Sequence, residues 1–267
     1  MEDNTIKDIM IESATKVTTQ AYEDIAHPIL KSIGNIVSLP FKAIDVALNP
    51  IKKWIDKRNF NYEETKKLLA QKLEKVGEEH IVEPEAYVAV PALQQLSYSY
   101  DSIELRNMYA NLLASAMTDT TKQDVHPSYV DIIRQLSPID ARALNKIFKP
   151  EFLTIIKIQA YYKSTDSYMD ILNNFSVELE DIYLKKTDQS TSLLNLVRLG
   201  IIEIMYGNLV QPVSKYDVYN KHPEIQEIID NFKVNDDIKI EITRGLIQLT
   251  DFGYNFCITC CDKHFVE

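Results

Sequence analysis

The chain has 267 residues, of which 45% are hydrophobic and 25% are charged, a composition typical of a folded globular protein rather than a disordered one. This length fits one large domain or two modest ones. The 29 basic and 39 acidic residues give a net charge of −10, which argues against a protein that coats nucleic acid through charge alone.

The first part of the sequence predicts helices. Residues 5–26 place apolar side chains at helical spacing and predict an amphipathic helix. Residues 62–79 predict a second, strongly charged helix with an apolar inner face. A third helix is predicted to begin at Asp101, which forms a capping box with Glu104.

Two further helices are predicted next. One covers residues 128–136, and the following one begins with Ser137 as its cap, Pro138 in its first turn and Asp140 as a first-turn acid. No glycine occurs over residues 78–199, so we expect packed helices in this stretch.

The last third predicts a mixture of helices and strands. A helix near 191–199 ends at Gly200, and residues 201–206 are rich in strand formers. Residues 238–249 predict a hairpin that turns at 243–245.

The predicted fold class is mainly α, with a helical bundle-like body followed by a small winged-helix-like α+β module. The body covers residues 61–175, the module covers 176–267, and residues 1–60 form a separate amphipathic N-terminal helical arm. The wing contains a long insertion with a helix over 223–232, and Thr250 caps the last helix.

The segment over residues 30–58 is the sharpest departure from the average composition. It carries six cations and two anions, a net charge of +4, whereas residues 61–267 carry 21 positive and 31 negative charges. Apolar area beside a tryptophan and several cations is typical of an interfacial membrane anchor, in which each cation contributes about 1 kcal/mol against anionic lipid. The predicted membrane or partner contacts are Phe41, Ile44, Leu48, Lys52, Lys53, Trp54, Lys57 and Arg58.

The alternative for this segment is that its apolar stripe packs on the helical body while its lysines remain solvated. Most amphipathic helices of globular proteins face a core in this way.

The three cysteines, Cys257, Cys260 and Cys261, all lie in the last eleven residues. An odd, clustered set indicates a reducing compartment. With His264 they have metal-ligand spacing, but residues 257 and 264 of one helix lie about 10.5 Å apart along its axis, too far for one tetrahedral zinc. We therefore expect buried cysteines and no metal; the alternative is that two of them bind an ion with ligands from elsewhere.

The expected location is cytoplasmic, with peripheral contact at the inner membrane face through the arm. The N-terminal sequence lacks the basic and apolar regions of a signal peptide. The longest apolar run, residues 86–93, is far shorter than the roughly 20 residues that span a bilayer.

No known catalytic or cofactor motif occurs in the sequence: there is no phosphate-binding glycine loop, dinucleotide fingerprint, HExxH or GxSxG. His126 near Asp124 is a candidate general base, but its place before Pro127 favours a local turn at a helix start. We therefore predict no enzymatic activity and no cofactor.

The winged-helix pattern also suggests DNA binding. Residues 176–204, which contain the predicted reading helix, carry three cations and five anions, a net charge of −2. Duplex binding draws much of its free energy from cations that neutralise phosphates, so this segment makes nucleic acid an unlikely partner.

Four stretches together resemble the abortive-infection alpha (Abi-alpha) family. They are RNMYANLLASAMTD at 106–119, VHPSYVDIIRQLSPIDARAL at 125–144, LVRLGIIE at 196–203 and LTDFGYNF at 249–256. The resemblance implies a bacterial, mostly helical protein linked to phage exclusion, and it supplies no catalytic residues.

The predicted function is a non-enzymatic phage-defence protein that acts through protein contacts, either with a phage-derived trigger or by self-association. Triggering would free the N-terminal arm to contact an anionic membrane surface. The alternatives are a winged-helix DNA-binding transcription regulator and an interaction scaffold that neutralises a toxin.

Overall fold

The computed structural model describes residues 67–73, 76–96, 99, 102–232 and 235–261. The chain divides into two compact units, Met1–Arg134 and Gln135–Glu267. The helix predicted over 5–26 and the whole N-terminal arm lie outside the described residues. None of the described helices is long and apolar enough to cross a membrane.

The described part of the first unit is helical. Its helices are α1 at residues 67–73, α2 at Ala86–Leu96, α3 at Ile103–Ala116 and α4 at Ser128–Gln135. Single 3-10 turns occur at Glu78–His80 and Lys122–Asp124. Helices α2 and α3 pack against each other. The predicted helix over 128–136 is confirmed. The helix predicted over 62–79 is α-helical over 67–73, whereas its predicted end falls in the 3-10 turn at Glu78–His80.

The predicted start of α3 is wrong by one residue. Ser102 is the cap: its backbone is extended and its hydroxyl accepts a hydrogen bond from Leu105 N at 3.2 Å. Ser102 Oγ also donates to Glu104 Oε2 at 3.0 Å, so the acid contacts the capping hydroxyl. Asp101, the predicted cap, lies outside the described residues.

The second unit combines helices with one antiparallel sheet. Its elements are α5 at Pro138–Ile147, β1 at Leu153–Tyr162, β2 at Ser167–Phe175, α6 at Lys186–Arg198, β3 at Ile202–Tyr206, α7 at Asp217–Lys221, α8 at Pro223–Phe232, β4 at Ile238–Leu249 and α9 at Asp251–Cys260. The strand order is β2-β1-β4-β3, and the sheet curls into a half-barrel. The protein is therefore mixed α+β, with 55% helix and 20% strand. The predicted helical content is confirmed, but the four-stranded sheet means that the fold is not clearly mainly α.

The β1–β2 hairpin lies where a helical body was expected. The absence of glycine from this stretch misled the prediction, because another residue supplies the left-handed backbone that its turn needs. Asp166 has φ 49°, a conformation that aspartate tolerates better than most side chains. Ten-residue β1, LTIIKIQAYY, is rich in β-branched residues, a strand signal that the helical interpretation passed over.

The predicted hairpin within residues 238–249 is also wrong. These residues form the single strand β4, in which Thr243, Arg244 and Gly245 pair with residues of β1. Gly245 does not form a turn. It allows the backbones of β4 and β3 to lie close together, because a Cβ there would lie 2.6 Å from Met205 O of β3. The predicted wing is thus a central strand of the four-stranded sheet.

One face of the sheet covers an aromatic and aliphatic core. Tyr216 and Tyr219, which flank the start of α7, and Ile225 of α8 pack against it. The fully buried core side chains include Ile156, Ile158, Phe175, Tyr216, Tyr219 and Ile225. Helix α6 packs against β2 and β3 in the same unit.

Candidate functional site

Helix α6 is held in place by a buried glutamine. Gln189 Nε2 donates to Ser176 O at 2.8 Å, and Ser176 N donates to Gln189 Oε1 at 2.9 Å. Both residues are almost fully buried, so this pair satisfies two backbone groups that would otherwise be desolvated without partners. The interaction fixes the first turn of α6 against the end of β2.

A buried carboxylate holds the second half of the same helix. Asp140, the predicted first-turn acid of α5, forms a capping box with Ser137, the predicted cap, with N···O distances of 2.8 and 3.1 Å. Its carboxylate also accepts hydrogen bonds from Ser192 Oγ and from Asn195 Nδ2, the latter at 3.1 Å. Tyr183 OH donates to Ser192 at 2.9 Å, and burial raises the pKa of Tyr183 to about 12. Two helices are therefore joined through one carboxyl group.

The outward side of α6 is exposed, and we name it the α6 surface. It consists of Thr187, Thr191, Leu194, Val197 and Arg198. Leu194 is 53% exposed and Val197 is 37% exposed, although a soluble helix usually turns such side chains inward. Arg198 is the only cation of this surface, and it donates to Gln135 Oε1 and Asn195 Oδ1 at 3.1 and 2.8 Å.

A cleft of about 240 Å³ lies at the N-terminal end of α6. The side chain of Leu184, just before the helix, is fully exposed at this cleft. Phe175 is an aromatic wall of the cleft: the Lys186 amine lies 4.7 Å from its ring centroid, and the His222 ring meets it edge-on at 5.4 Å. Phe175 itself is only 1% exposed, so the apolar side chain that the cleft presents to solvent is Leu184.

Two basic side chains around the cleft already have acidic partners. Lys186 forms an ion pair with Glu224, and the hydrogen bond lowers the pKa of that carboxyl group. His222 Nε2 lies 3.1 Å from both carboxylate oxygens of Glu180. Because Lys186 already has a carboxylate partner, it is poorly placed to neutralise a phosphate.

The predicted membrane contacts cannot be placed. Phe41, Ile44, Leu48, Lys52, Lys53, Trp54, Lys57 and Arg58 all lie outside the described residues. The functional interpretation of the arm therefore stays a prediction from the sequence.

His126 interacts with its own neighbours at the start of α4. Ser128 N donates to His126 Nδ1 at 3.2 Å, and Ser128 Oγ lies 2.6 Å from the same nitrogen. The ring also contacts Tyr129, with centroids 5.9 Å apart. This is the local turn interaction that the sequence favoured.

The cysteines pack in the interior of the second unit, as predicted. Cys257 and Cys260 are fully buried, and Cys261 is 3% exposed. Burial raises the pKa of the Cys257 and Cys260 thiols well above the usual value, so both remain protonated at neutral pH. Across the described ranges, no three histidine, cysteine or acidic side chains converge as metal ligands.

The exposure of the α6 surface could not be predicted from the sequence pattern. Leu194 and Val197 fit an amphipathic helix as readily as Leu193 and Leu196, since all four are apolar and close in sequence. Only the packing of α6 on β2 and β3 decides which pair faces solvent.

The model of a protein family described as "Abortive infection alpha" matches residues 57–260. The chain belongs to the abortive infection alpha family. Membership implies a role in phage defence. The four stretches that suggested the family lie within the matched range, so that prediction is confirmed.

Other comparisons add no functional information about this family member. No curated protein matches the chain. The solved structure of an uncharacterized protein from the marine bacterium Alcanivorax borkumensis SK2 aligns with 53% of this chain and 94% of its own, at 9% identity and a TM-score of 0.34. A likeness this weak carries no conclusion.

Two of the stretches that resemble the abortive infection alpha family meet in the structure. Thr250 caps α9 by accepting a hydrogen bond from Gly253 N at 2.8 Å, as predicted, while its own N–H donates to Ile201 O at 3.0 Å. Gly253 is required there, because a Cβ would lie 1.8 Å from Ile201 O. These two stretches therefore share a packing contact in the structure.

Proposed function

We propose that this abortive infection alpha protein defends against phage by binding a protein partner at the α6 surface, without catalysing a reaction. The observation that carries the proposal is the exposure of Leu194 and Val197 on a helix that is otherwise firmly anchored. A rigid helix that presents apolar side chains can bind a partner at little entropic cost.

The neighbouring cleft extends the proposed contact. Leu184 is fully exposed at its rim. Partner-binding energy is usually concentrated in a few apolar and aromatic anchors that become desolvated on binding. Leu194 and Val197 on the α6 surface and Leu184 just before the helix are exposed apolar side chains of this kind.

The charge of α6 supports a protein partner over DNA. A recognition helix draws affinity from cations that contact phosphates. On α6, Lys186 is paired with Glu224, and Arg198 is held by Gln135 and Asn195. The alternative of a DNA-binding regulator predicts a shift of duplex DNA in a gel at low salt that disappears at moderate salt.

The N-terminal arm supplies the second step of the proposal. Its net charge of +4 over residues 30–58 and its apolar stripe suit contact with an anionic membrane once a partner has bound. Flotation with anionic liposomes tests this step separately: deletion of residues 1–58 should abolish both lipid binding and phage protection. Full protection after this deletion would refute the role of the arm.

Phage plating tests the partner surface. We expect Val197→Asp to restore phage plating by at least about tenfold, because a buried carboxylate at a contact is strongly unfavourable. Val218→Asp is the matched control, since Val218 is also a half-exposed valine on a helix of the second unit, 42% exposed against 37%.

The two variants must be present at equal levels and unfold at similar temperatures. Equal loss of protection in both would show that added charge alone disrupts the protein. Full protection by Val197→Asp, and by the double variant Leu194→Asp/Val197→Asp, would refute a partner contact at the α6 surface.

A further inference from the structure

A pocket of about 280 Å³ lies in the first unit, at the carboxyl end of α3. Its exposed lining is mostly apolar, and it is smaller than the roughly 300–1,000 Å³ of a typical small-molecule site, so it suits one large side chain. It shares no residue with the α6 surface or the cleft beside it. The lining includes Val76, His80, Ala114, Thr118, Thr120 and Thr121.

Main-chain pairing gives this pocket a fixed shape. Ile81 forms a bridge with Thr118, and Val82 N donates to Met117 O at 2.8 Å. The segment that carries His80 is therefore tied to the turn that follows α3. A preformed pocket binds a side chain at a lower entropic cost than one that must first become ordered.

Two hydroxyl groups of the lining already have partners inside the first unit. Thr118 Oγ1 donates to Ala114 O at 2.8 Å, and Thr121 Oγ1 donates to Ser115 O at 2.9 Å. An apolar side chain can therefore fill the pocket without leaving either of these hydroxyl groups unpaired. The lining favours an apolar or aromatic occupant.

The two segments that pair beside the pocket are acidic. Residues 79–85 and 117–124 contain five carboxylates and one lysine, so their formal charge is −4 with His80 neutral and −3 with His80 protonated. The lysine, Lys122, is bound to Glu85 Oε1 at 2.8 Å. An apolar occupant flanked by cations is therefore favoured over one flanked by acids.

One segment of this chain has the matching chemistry. Residues 52–58, KKWIDKR, contain four cations and one acid, a net charge of +3, around Trp54, the single tryptophan of the sequence. Buried aromatic side chains are the usual anchors of a protein contact, and complementary charge fixes how such a contact is oriented. An aromatic side chain between cations therefore matches an apolar pocket between acidic segments.

The chain is long enough to bring Trp54 to the pocket. Residue 67, where α1 begins, lies nine residues after Arg58, and nine extended residues span up to about 30 Å. Val76 of the pocket lining follows three residues after the end of α1. Because both parts belong to one chain, the arm meets the pocket at an effective concentration on the order of millimolar.

We propose that residues 52–58 of the arm dock on this surface of the first unit, with Trp54 in the pocket and the neighbouring cations against the acidic segments. Docking occupies the tryptophan and the cations that would otherwise contact anionic lipid, so it keeps the arm from the membrane until a trigger acts. This consequence rests on the membrane contact of the proposed function, whereas the docking itself does not.

The fluorescence of Trp54 tests the docking on the full chain, because no other tryptophan contributes. Acrylamide quenching should show a shielded side chain in the wild type. Thr120→Arg places a bulky cation at an exposed position of the lining and should raise the quenching constant about threefold, because it displaces Trp54. Thr187→Arg makes the same change at an exposed threonine of α6 and is the matched control, with quenching as in the wild type.

A second variant changes the arm and leaves the first unit intact. Lys53→Glu combined with Lys57→Glu reverses two charges beside Trp54 and should also raise the quenching constant. This variant tests the docking even if Thr120→Arg perturbs the pocket itself, which circular dichroism of the variant would detect.

Three results would overturn the docking. They are strong quenching of Trp54 in the wild type, quenching that neither the Thr120→Arg nor the arm variant changes, and an equal rise in Thr120→Arg and Thr187→Arg. Quenching that weakens as the protein concentration rises would place Trp54 on a second copy of the chain, and would overturn docking within one chain.

Flotation with anionic liposomes tests the consequence for the membrane. Without a trigger, Thr120→Arg should bind about tenfold more lipid than Thr187→Arg, which carries the same added charge. Release of Trp54 without this gain in lipid binding would support the docking and refute the membrane contact of the proposed function. The two failures are therefore distinguishable.

Discussion

The segments beside the carboxyl end of α3 in the first unit and the cleft of the second unit differ in how their charges are balanced. At the cleft, Lys186 forms an ion pair with Glu224, and His222 Nε2 lies 3.1 Å from Glu180. Over residues 79–85 and 117–124, five carboxylates outnumber one lysine. Paired charges hold a structure together and leave little for a ligand, whereas a surplus of one sign creates a field that attracts the opposite charge. The comparison separates charges that stabilise the fold from charges that remain unbalanced at the surface.

The largest expected effect comes from the buried carboxylate that supports α6. Asp140→Ala should lower the free energy of unfolding by on the order of 3 kcal/mol, because Ser137, Ser192 and Asn195 would lose their shared acceptor. Urea unfolding followed by circular dichroism measures this change. Asp188→Ala on the exposed side of α6 is the control and should change stability much less. Similar losses in the two variants would contradict the anchoring role of Asp140.

A smaller effect is expected from the ion pair at the cleft. Lys186→Met should cost about 0.5–1 kcal/mol, since Glu224 is 57% exposed and solvent screens the pair. The lowered pKa of Glu224 means that this stabilisation is present above its usual pKa of 4.5 and is lost as pH falls through the lower folded-state pKa. Unfolding at pH 7 and pH 3 should therefore separate wild type from variant at pH 7 and bring them together at pH 3. If the difference in unfolding free energy between wild type and Lys186→Met were the same at both pH values, the ion pair with Glu224 would not be its cause.

The smallest effect concerns the pKa of His80 in the first unit. The hydrogen bond and the charge of Asp119 raise the pKa of His80 above 6.5, with a further contribution from Glu79. Stabilisation from this pair is fully present below pH 6.5 and is lost as pH rises through the folded-state pKa. Titration of the imidazole resonances by NMR should show a midpoint above 6.5 that falls in Asp119→Asn. An unchanged midpoint would contradict the His80–Asp119 pair.

Local signals in the sequence predicted several helix starts, and for a physical reason. Ser137, Pro138 and Asp140 define a helix start through contacts within three residues, and so does Thr250. The second role of Asp140 was not predictable, because its partners Ser192 and Asn195 lie more than 50 residues away. A capping box describes one helix and says nothing about which other helix will contact it.

The strands show where local signals mislead. Asp166 took the place of a glycine in the β1–β2 turn, and Gly245 took the place of a side chain in the middle of β4. A turn was predicted at Gly245, and helices were predicted for the glycine-free stretch that contains Asp166. In the structure Asp166 has positive φ in a turn, and Gly245 lies in a strand where it permits close packing. Sheet pairing decides between these uses, and it depends on residues far apart in the sequence.

The candidate site was only partly accessible from the sequence. The acidic character that disfavours DNA was predicted, and the structure adds that Lys186 already has a carboxylate partner. The exposure of Leu194 and Val197 depends on tertiary packing, which the local sequence pattern does not determine. The arm, for which the strongest sequence argument was made, lies outside the described residues and stays a prediction.

The junction of Gly253 with Ile201 sets a limit on engineering this protein. No side chain separates the last helix from the backbone at the start of β3. A fluorescent label or cross-linker attached at position 253 would displace the helix from the backbone of Ile201, whereas exposed Asp251, two residues earlier, offers an attachment point outside this contact. Reporter groups for the C-terminal region should therefore be attached away from position 253.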